Sequence, residues 1–206
     1  FYRLYVITSL DLSGFDTTQV TDMYAMFKNC GSLKFLDFSN FRTPNVIDMA
    51  SMFQSCEALT SIDTSKFDTS KVTDMSYMFQ DCNNIQKLDL SNFDTTNVRD
   101  MSYMFDFDTK LNTINLNNFK TKNVKKMVGM FSRLLALSSL DVSKFDTSSV
   151  EDMTNMFINC KALTQIDLSN FNTEKVEKMS SMFSGCSKLT SINLKNFDTK
   201  NVEFKI

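Results

Sequence analysis

The stretch LDLSNFDTTNVRDMSYMFDFDTKLNT, residues 88–113, decides the fold, because variants of this 26-residue unit fill the chain. Aligned on LDLSxFDT, repeats begin at Leu10, Leu36, Ile62, Leu88, Ile114, Leu140, Ile166 and Ile192, without insertion or deletion. With those residues as position 1, the consensus is LDLSNFDTxNVxDMxxMFxxCxxLxx. Position 6 is always Phe (Phe15 to Phe197), position 8 always Thr (Thr17 to Thr199) and position 11 always Val (Val20 to Val202). All 14 Met fall at positions 14 and 17, and all five Cys (Cys30, Cys56, Cys82, Cys160 and Cys186) at position 21. Position 18 is Phe in every complete repeat, from Phe27 to Phe183.

Composition agrees with one unit written many times. The 206 residues include 20 Phe but no Trp, no His, one Pro and four Gly, a palette too narrow for an ordinary globular core. The formal charge of -2 gives no strong pull towards nucleic acid or anionic membrane. No apolar run approaches the roughly 18 residues of a membrane span, and no signal peptide is visible. Residues 1–206 therefore read as a single array: a partial repeat 1–9, repeats starting at 10, 36, 62, 88, 114, 140 and 166, and a partial repeat 192–206. Phe1, Leu4 and Ile7 hold positions 18, 21 and 24 of a preceding repeat. Caps of divergent sequence normally close such arrays, so a segment of a longer protein is expected.

Within a repeat the apolar period changes. Positions 24, 1 and 3 read LxxLxL, with 1 and 3 alternating with polar neighbours as in a half-buried strand. Positions 14, 17, 18 and 21 follow i, i+3, i+4, i+7, one face of a short helix, with Thr73-Asp74 before Met75 typical of its N-cap. The predicted fold is an α/β, right-handed leucine-rich-repeat solenoid, with one short parallel strand and one short helix per coil. A single coil cannot bury its apolar side alone, and stacking supplies the missing partner surface.

LxxLxLxxN is the leucine-rich-repeat signature; here it reads LxxLDLSNF, with Phe where the usual repeat carries a buried Asn. That predicts a Phe spine in place of an ordinary Asn ladder. The form LDLSNFDTxxVxDMxxMFxxCxxL, which covers essentially the whole chain, resembles the BspA-like leucine-rich repeats of bacterial surface proteins, nearest to the branch from mycoplasmas and other low-GC bacteria. The resemblance implies a solenoid with a parallel sheet on one face, an extracellular or cell-surface location and adhesion as a common role. It carries no catalytic residue to transfer. The 18 Lys against 4 Arg suit an AT-rich genome.

Position 2 supplies the candidate ligand-binding column: Asp11, Asp37, Asp63 and Asp89, then Asp141 and Asp167, with Asn115 and Asn193 at the breaks. These residues lie between inward positions 1 and 3 and should project from the strand face. Like charges about 5 Å apart repel by roughly 0.8 kcal/mol per pair in water, so local donors such as Ser13, Ser39, Ser65 and Ser91, a cation or a basic partner must offset the repulsion. Phe35 and Lys87, both at position 26, extend this candidate surface. Lys120, Lys122, Lys125 and Lys126 make one coil basic. The Thr column reads as turn hydroxyls satisfying backbone rather than an ice-binding file.

The Cys column, with Leu4 and Leu134 substituting, reads as buried free thiols; a Cys30–Cys56 or Cys160–Cys186 bridge is the alternative. Asp108 occupies that column in one repeat and is expected to turn outward while Phe107 fills the gap. No CxxC pair and no His complete a metal set, and neither metal nor cofactor is expected.

Three function classes follow. A binding module would engage a host or bacterial surface protein or glycan through the strand face, without nucleic acid or membrane insertion. A stalk or spacer would display another domain. An enzyme would need a singular, pocketed constellation, and every Asp column is periodic.

Overall fold

The computed structural model describes residues 1–203; the last three residues of the final partial repeat lie outside it. Coils of 26 residues stack in exact register. Strands are three residues long: β1 (Lys87–Asp89) pairs in parallel with β2 (Thr113–Asn115), and β3 (Gln165–Asp167) with β4 (Ser191–Asn193). On a second side, parallel bridges link Asp22, Asp48, Asp74, Asp100, Lys126, Asp152 and Lys178, coil to coil. The chain is a repeat solenoid.

The expected helix is absent: among the described residues no segment is helical. The backbone explains why. In a helix every N–H returns to its own chain four residues earlier. Here alternate N–H groups leave the coil. Those of Met49, Ser51, Phe53 and Ser55 donate to the carbonyls of Asp74, Ser76, Met78 and Gln80 in the next coil, at 3.1, 2.8, 2.9 and 2.8 Å. The groups between them close tight turns, Met52 to Met49, Gln54 to Ser51 and Cys56 to Phe53. Positions 16 and 20 make this possible by adopting left-handed backbone. Among the described residues all thirteen non-glycine residues of positive φ fall in those two columns, Tyr77 (60°) and Asp81 (63°) among them. Asp74 does cap a turn, its Oδ1 accepting the Ser76 N–H at 2.8 Å, but no helix follows.

The same Asp device shapes three corners of the coil 62–87. At position 2, Asp63 accepts the Ser65 N–H; at position 7, Asp68 accepts the Ser70 N–H; at position 13, Asp74 accepts that of Ser76. Each is a short Asp-x-N–H loop that turns the chain.

Between these corners the apolar columns meet. Phe27, Phe53, Phe79, Phe105, Phe131, Phe157 and Phe183 form one stacked file, with centroids 5.6 to 6.0 Å apart. This is the main aromatic spine; beside it the position-6 phenylalanines from Phe41 to Phe171 are buried, while at the two ends Phe15 is exposed and Phe197 half-buried. An asparagine ladder exists nonetheless, displaced one residue to position 5. Asn170 Nδ2 donates to the carbonyls of Val142 (3.0 Å) and Phe145 (2.7 Å) of the preceding coil. A second ladder runs at position 10, where Asn97 Nδ2 reaches the Ser70 carbonyl at 2.7 Å.

The position-8 hydroxyls from Thr17 to Thr173 are buried and inter-coil, and only Thr199 in the final coil is exposed. Thr69 Oγ1 donates to the Asp94 carbonyl and accepts the Asp94 N–H, a pattern repeated from Thr17 to Thr173. They satisfy backbone, but that of the next coil rather than their own turn. A buried file presents no surface to ice.

All five cysteines are free. Each S–H donates to the position-18 carbonyl of the preceding coil; Cys82 Sγ lies 3.1 Å from the Phe53 oxygen. Asp108 corrects the sequence reading. It does not turn outward: its carboxyl stays in the thiol column, 2% exposed, and accepts the Cys82 N–H at 2.6 Å. Phe107, at 41% exposure, faces solvent instead of filling the column. Its backbone is left-handed (φ 67°), and that turn directs Phe107 out and Asp108 in.

Candidate functional site

Strand alternation sets the candidate face. Leu88 is buried while Lys87 and Asp89 on either side are exposed, and Ile166 is likewise buried between Gln165 and Asp167. Asp11, Asp37, Asp63, Asp89, Asp141 and Asp167 are all exposed in one column. Its breaks pair with it directly, Asp89 beside Asn115 and Asp167 beside Asn193. Phe35, 63% exposed, and Lys87 stand two coils apart in the neighbouring position-26 column.

Each carboxylate in this column is held locally. Oδ1 accepts the N–H two residues on: Asp11 from Ser13, Asp37 from Ser39, Asp63 from Ser65, Asp89 from Ser91, Asp141 from Ser143 and Asp167 from Ser169, at 2.8 to 3.0 Å. These bonds hold Asp11, Asp63, Asp89 and Asp167 below the usual carboxylate range, because the serine backbone N–H favours the charged form. At Asp141 the Ser143 hydroxyl acts first and the backbone second. Asn115 Nδ2 adds a bond to Asp89 Oδ1 at 2.9 Å, so an amide at a break relieves its charged neighbour. Local donors therefore offset the repulsion, and the column needs no cation to exist. Among the described residues no group of three or more Cys, Asp or Glu is arranged to hold a metal ion.

The face is shallow. Ser139, Leu140, Asp141, Gln165, Ile166, Asp167, Ser191 and Asn193 line an open depression of about 520 Å³ with oxygen and amide groups on a three-coil grid. It has no nucleophile–base pair, and its carboxylates are spaced by the coil repeat. It offers many weak polar contacts to something broad.

The basic coil is not a free cationic patch. Lys125 Nζ lies 2.7 Å from Glu151, while Lys120 and Lys126 each lie 3.8 Å from Asp94 and Asp100. Three of the four lysines thus face an acid in an adjacent coil.

Sequence reasoning missed a non-periodic cluster away from the strand face. Asp106, fully buried, receives Arg133 through Nε at 2.9 Å and Nη2 at 2.7 Å, and Gln80 Nε2 at 2.7 Å. Arg133 also lies over Phe107, 5.2 Å from the ring centroid. Tyr77 stacks on Tyr103 at 5.1 Å, and Tyr103 covers Gly129, where an added Cβ would sit 2.5 Å from the ring. Part of the signal was present: Asp108 breaks the thiol column, whereas Asp106, Phe107 and Arg133 stand at positions 19 and 20, which carry no fixed residue type.

No helix among the described residues is long and apolar enough to cross a membrane. No curated protein matches the chain. Among solved structures it is similar to a leucine rich cell surface protein from Faecalibacterium prausnitzii A2-165, at 16% identity and TM-score 0.44, over 84% of this chain and 57% of that one. It is similar to an internalin from Listeria monocytogenes, at 20% identity and TM-score 0.39, over 80% and 42%. A leucine-rich repeat protein from Bacteroides ovatus aligns at 15% identity and TM-score 0.42, over 81% and 50%. The chain thus spans between 42% and 57% of the length of these structures. The family model described as "Mycoplasma protein of unknown function, DUF285" matches residues 1–112, 59–139 and 136–205, essentially the whole array, in keeping with the mycoplasma-type repeat; the chain belongs to that family.

Proposed function

We propose that this chain is a non-catalytic recognition array of a bacterial surface protein, engaging a protein or glycan through its strand face. One observation carries the reading: every strongly apolar column is spent on the core, while the strand face presents fixed acceptors at the spacing of the coils. Asp141 and Asp167 use Oδ1 for their serine N–H groups, and in this reading Oδ2 accepts from the ligand. Acceptors repeated at about 4.8 Å suit hydroxyl, amide or ammonium donors on an extended ligand. Surface location and adhesion rest on the family resemblance of the repeat.

The test is binding of the folded chain to panels of host matrix proteins and glycans, followed by an Asp141→Asn/Asp167→Asn double variant. The expected result is at least a tenfold loss for that variant and no change for Lys122→Ser. Equal binding by the strand-face variant overturns the assignment of the face. Absence of any ligand across the panels favours a spacer that displays another domain, a role suited to near-identical repeats.

A further inference from the structure

The columns do not break at random. The position-2 acids run from Asp11 to Asp89 and stop at Asn115; the position-21 thiols run from Cys30 to Cys82 and stop at Asp108 and Leu134; the position-13 acids run from Asp22 to Asp100 and stop at Lys126. All three resume beyond this point, with Asp141, Cys160 and Asp152. The acid columns break again at Lys178 and Asn193, but only within residues 106–134 do all three columns break together, and there the core accepts two carboxyl groups, Asp106 and Asp108, the only acids buried among the described residues. The inter-coil bridges pass through unbroken, Asp74 to Asp100 to Lys126 to Asp152, so the coils on either side are docked in this structure.

The two carboxyls are treated differently. Asp106 has a bidentate arginine and a glutamine amide. Asp108 has one N–H, that of Cys82, and no cation. The groups acting on it are Asp81 and the Cys82 thiol from the preceding coil and Asp106 from its own; Arg133 of the following coil pairs with Asp106 instead. A buried carboxylate in such company is costly, whereas a neutral acid is tolerated. Thiols in this column each donate a hydrogen, and only the protonated acid is able to donate in their place. Burial, reinforced by the charges of Asp106 and Asp81, accordingly pushes the Asp108 carboxyl well above the usual carboxylate range.

We propose that residues 106–134 form a proton-gated joint, closed while Asp108 is a neutral acid and locally opened as Asp108 ionises. The sign follows from linkage. A carboxyl whose pKa is raised by folding contributes stability that is complete below its unfolded value near about 3.9 and is lost as pH rises towards the folded value. Acid therefore rigidifies the joint and neutral to alkaline pH loosens it, independently of what the strand face binds.

Hydrogen exchange of the whole chain from pH 5 to pH 8, corrected for intrinsic rates, tests this. Exchange around Cys82 and Asp108 should accelerate by up to about tenfold per pH unit, one proton's linkage, while the coil 36–61 stays flat. Asp108→Asn removes the ionisation with little change of shape, and Asp108→Cys restores the column; both should abolish the slope. An equal slope in these variants, or none in the unmodified chain, overturns the proposal. If the asparagine variant fails to fold, the cysteine variant still decides it.

Discussion

The Thr95 hydroxyl donates to the Lys120 carbonyl at 3.0 Å and accepts the Lys120 N–H at 2.7 Å, so one side chain satisfies both backbone groups of a residue 25 positions later. Thr95 is fully buried. The invariance of position 8 along the chain follows from this pairing, because each coil depends on the previous threonine to complete its backbone.

Thr95→Val should therefore destabilise the array by about 1–3 kcal/mol, the cost of leaving a buried N–H and carbonyl unpaired. Thr95→Ser keeps the hydroxyl and should recover most of the loss. Urea midpoints for the three proteins check this; equal midpoints for the Val variant and the unmodified chain contradict it.

Gly129→Ala tests the tyrosine cover. Left-handed backbone is not the obstacle, since Ser51, Tyr77 and Asn155 adopt it in the same column. The obstacle is the Tyr103 ring, which a Cβ would meet at 2.5 to 2.6 Å. The substitution should cost about 1–3 kcal/mol, and Tyr103→Ser in the same chain should return most of it. Additive effects of the two changes would rule out a steric coupling.

The Phe spine yields a contrast between two aromatics. Phe105 is buried between Phe79 and Phe131, at 6.0 and 5.7 Å, whereas Phe35 is 63% exposed. Phe105→Ala should lower stability by about 3–5 kcal/mol, and Phe35→Ala should stay within about 0.5 kcal/mol. Thermal or urea unfolding distinguishes them.

The inward columns were legible because period alone assigns them: a Met, Val or Phe recurring every 26 residues has to meet its own copy in the next coil. Conformation inside the coil was not. Spacing of i, i+3, i+4, i+7 at Met75, Met78, Phe79 and Cys82 fits a helix, but it also fits two successive turns joined through left-handed residues. The distinguishing signal lay in positions 16 and 20, where Asn29, Asn155, Asn159, Gly129 and Gly185 are types that tolerate positive φ. Asp108 misled for a related reason. Charge predicts exposure, yet its column direction was fixed by Phe107 at the left-handed position before it. The strand-face aspartates were located correctly from alternation, and their serine donors followed from the Asp-x-Ser spacing. The Thr95–Lys120 pairing was hidden because its partner is a main chain 25 residues away.

The thiol column gives a chemical test of burial. Cys56 is inaccessible, and burial pushes its thiol up to about 12, so at pH 8 it holds its proton and offers no thiolate to an electrophile. Cys82 is raised for the same reason and is also enclosed. Cys186 lies in the last stacked coil and is partly exposed, so an electrophile reaches its sulfur. Treatment of the native chain with a maleimide at pH 8 should label Cys186 within minutes and leave Cys56 and Cys82 unmodified until denaturant is added. Peptide mapping reads the order directly. Labelling of Cys56 at the rate of Cys186 under native conditions would mean that the coils open far more often than their continuous hydrogen-bond ladders permit.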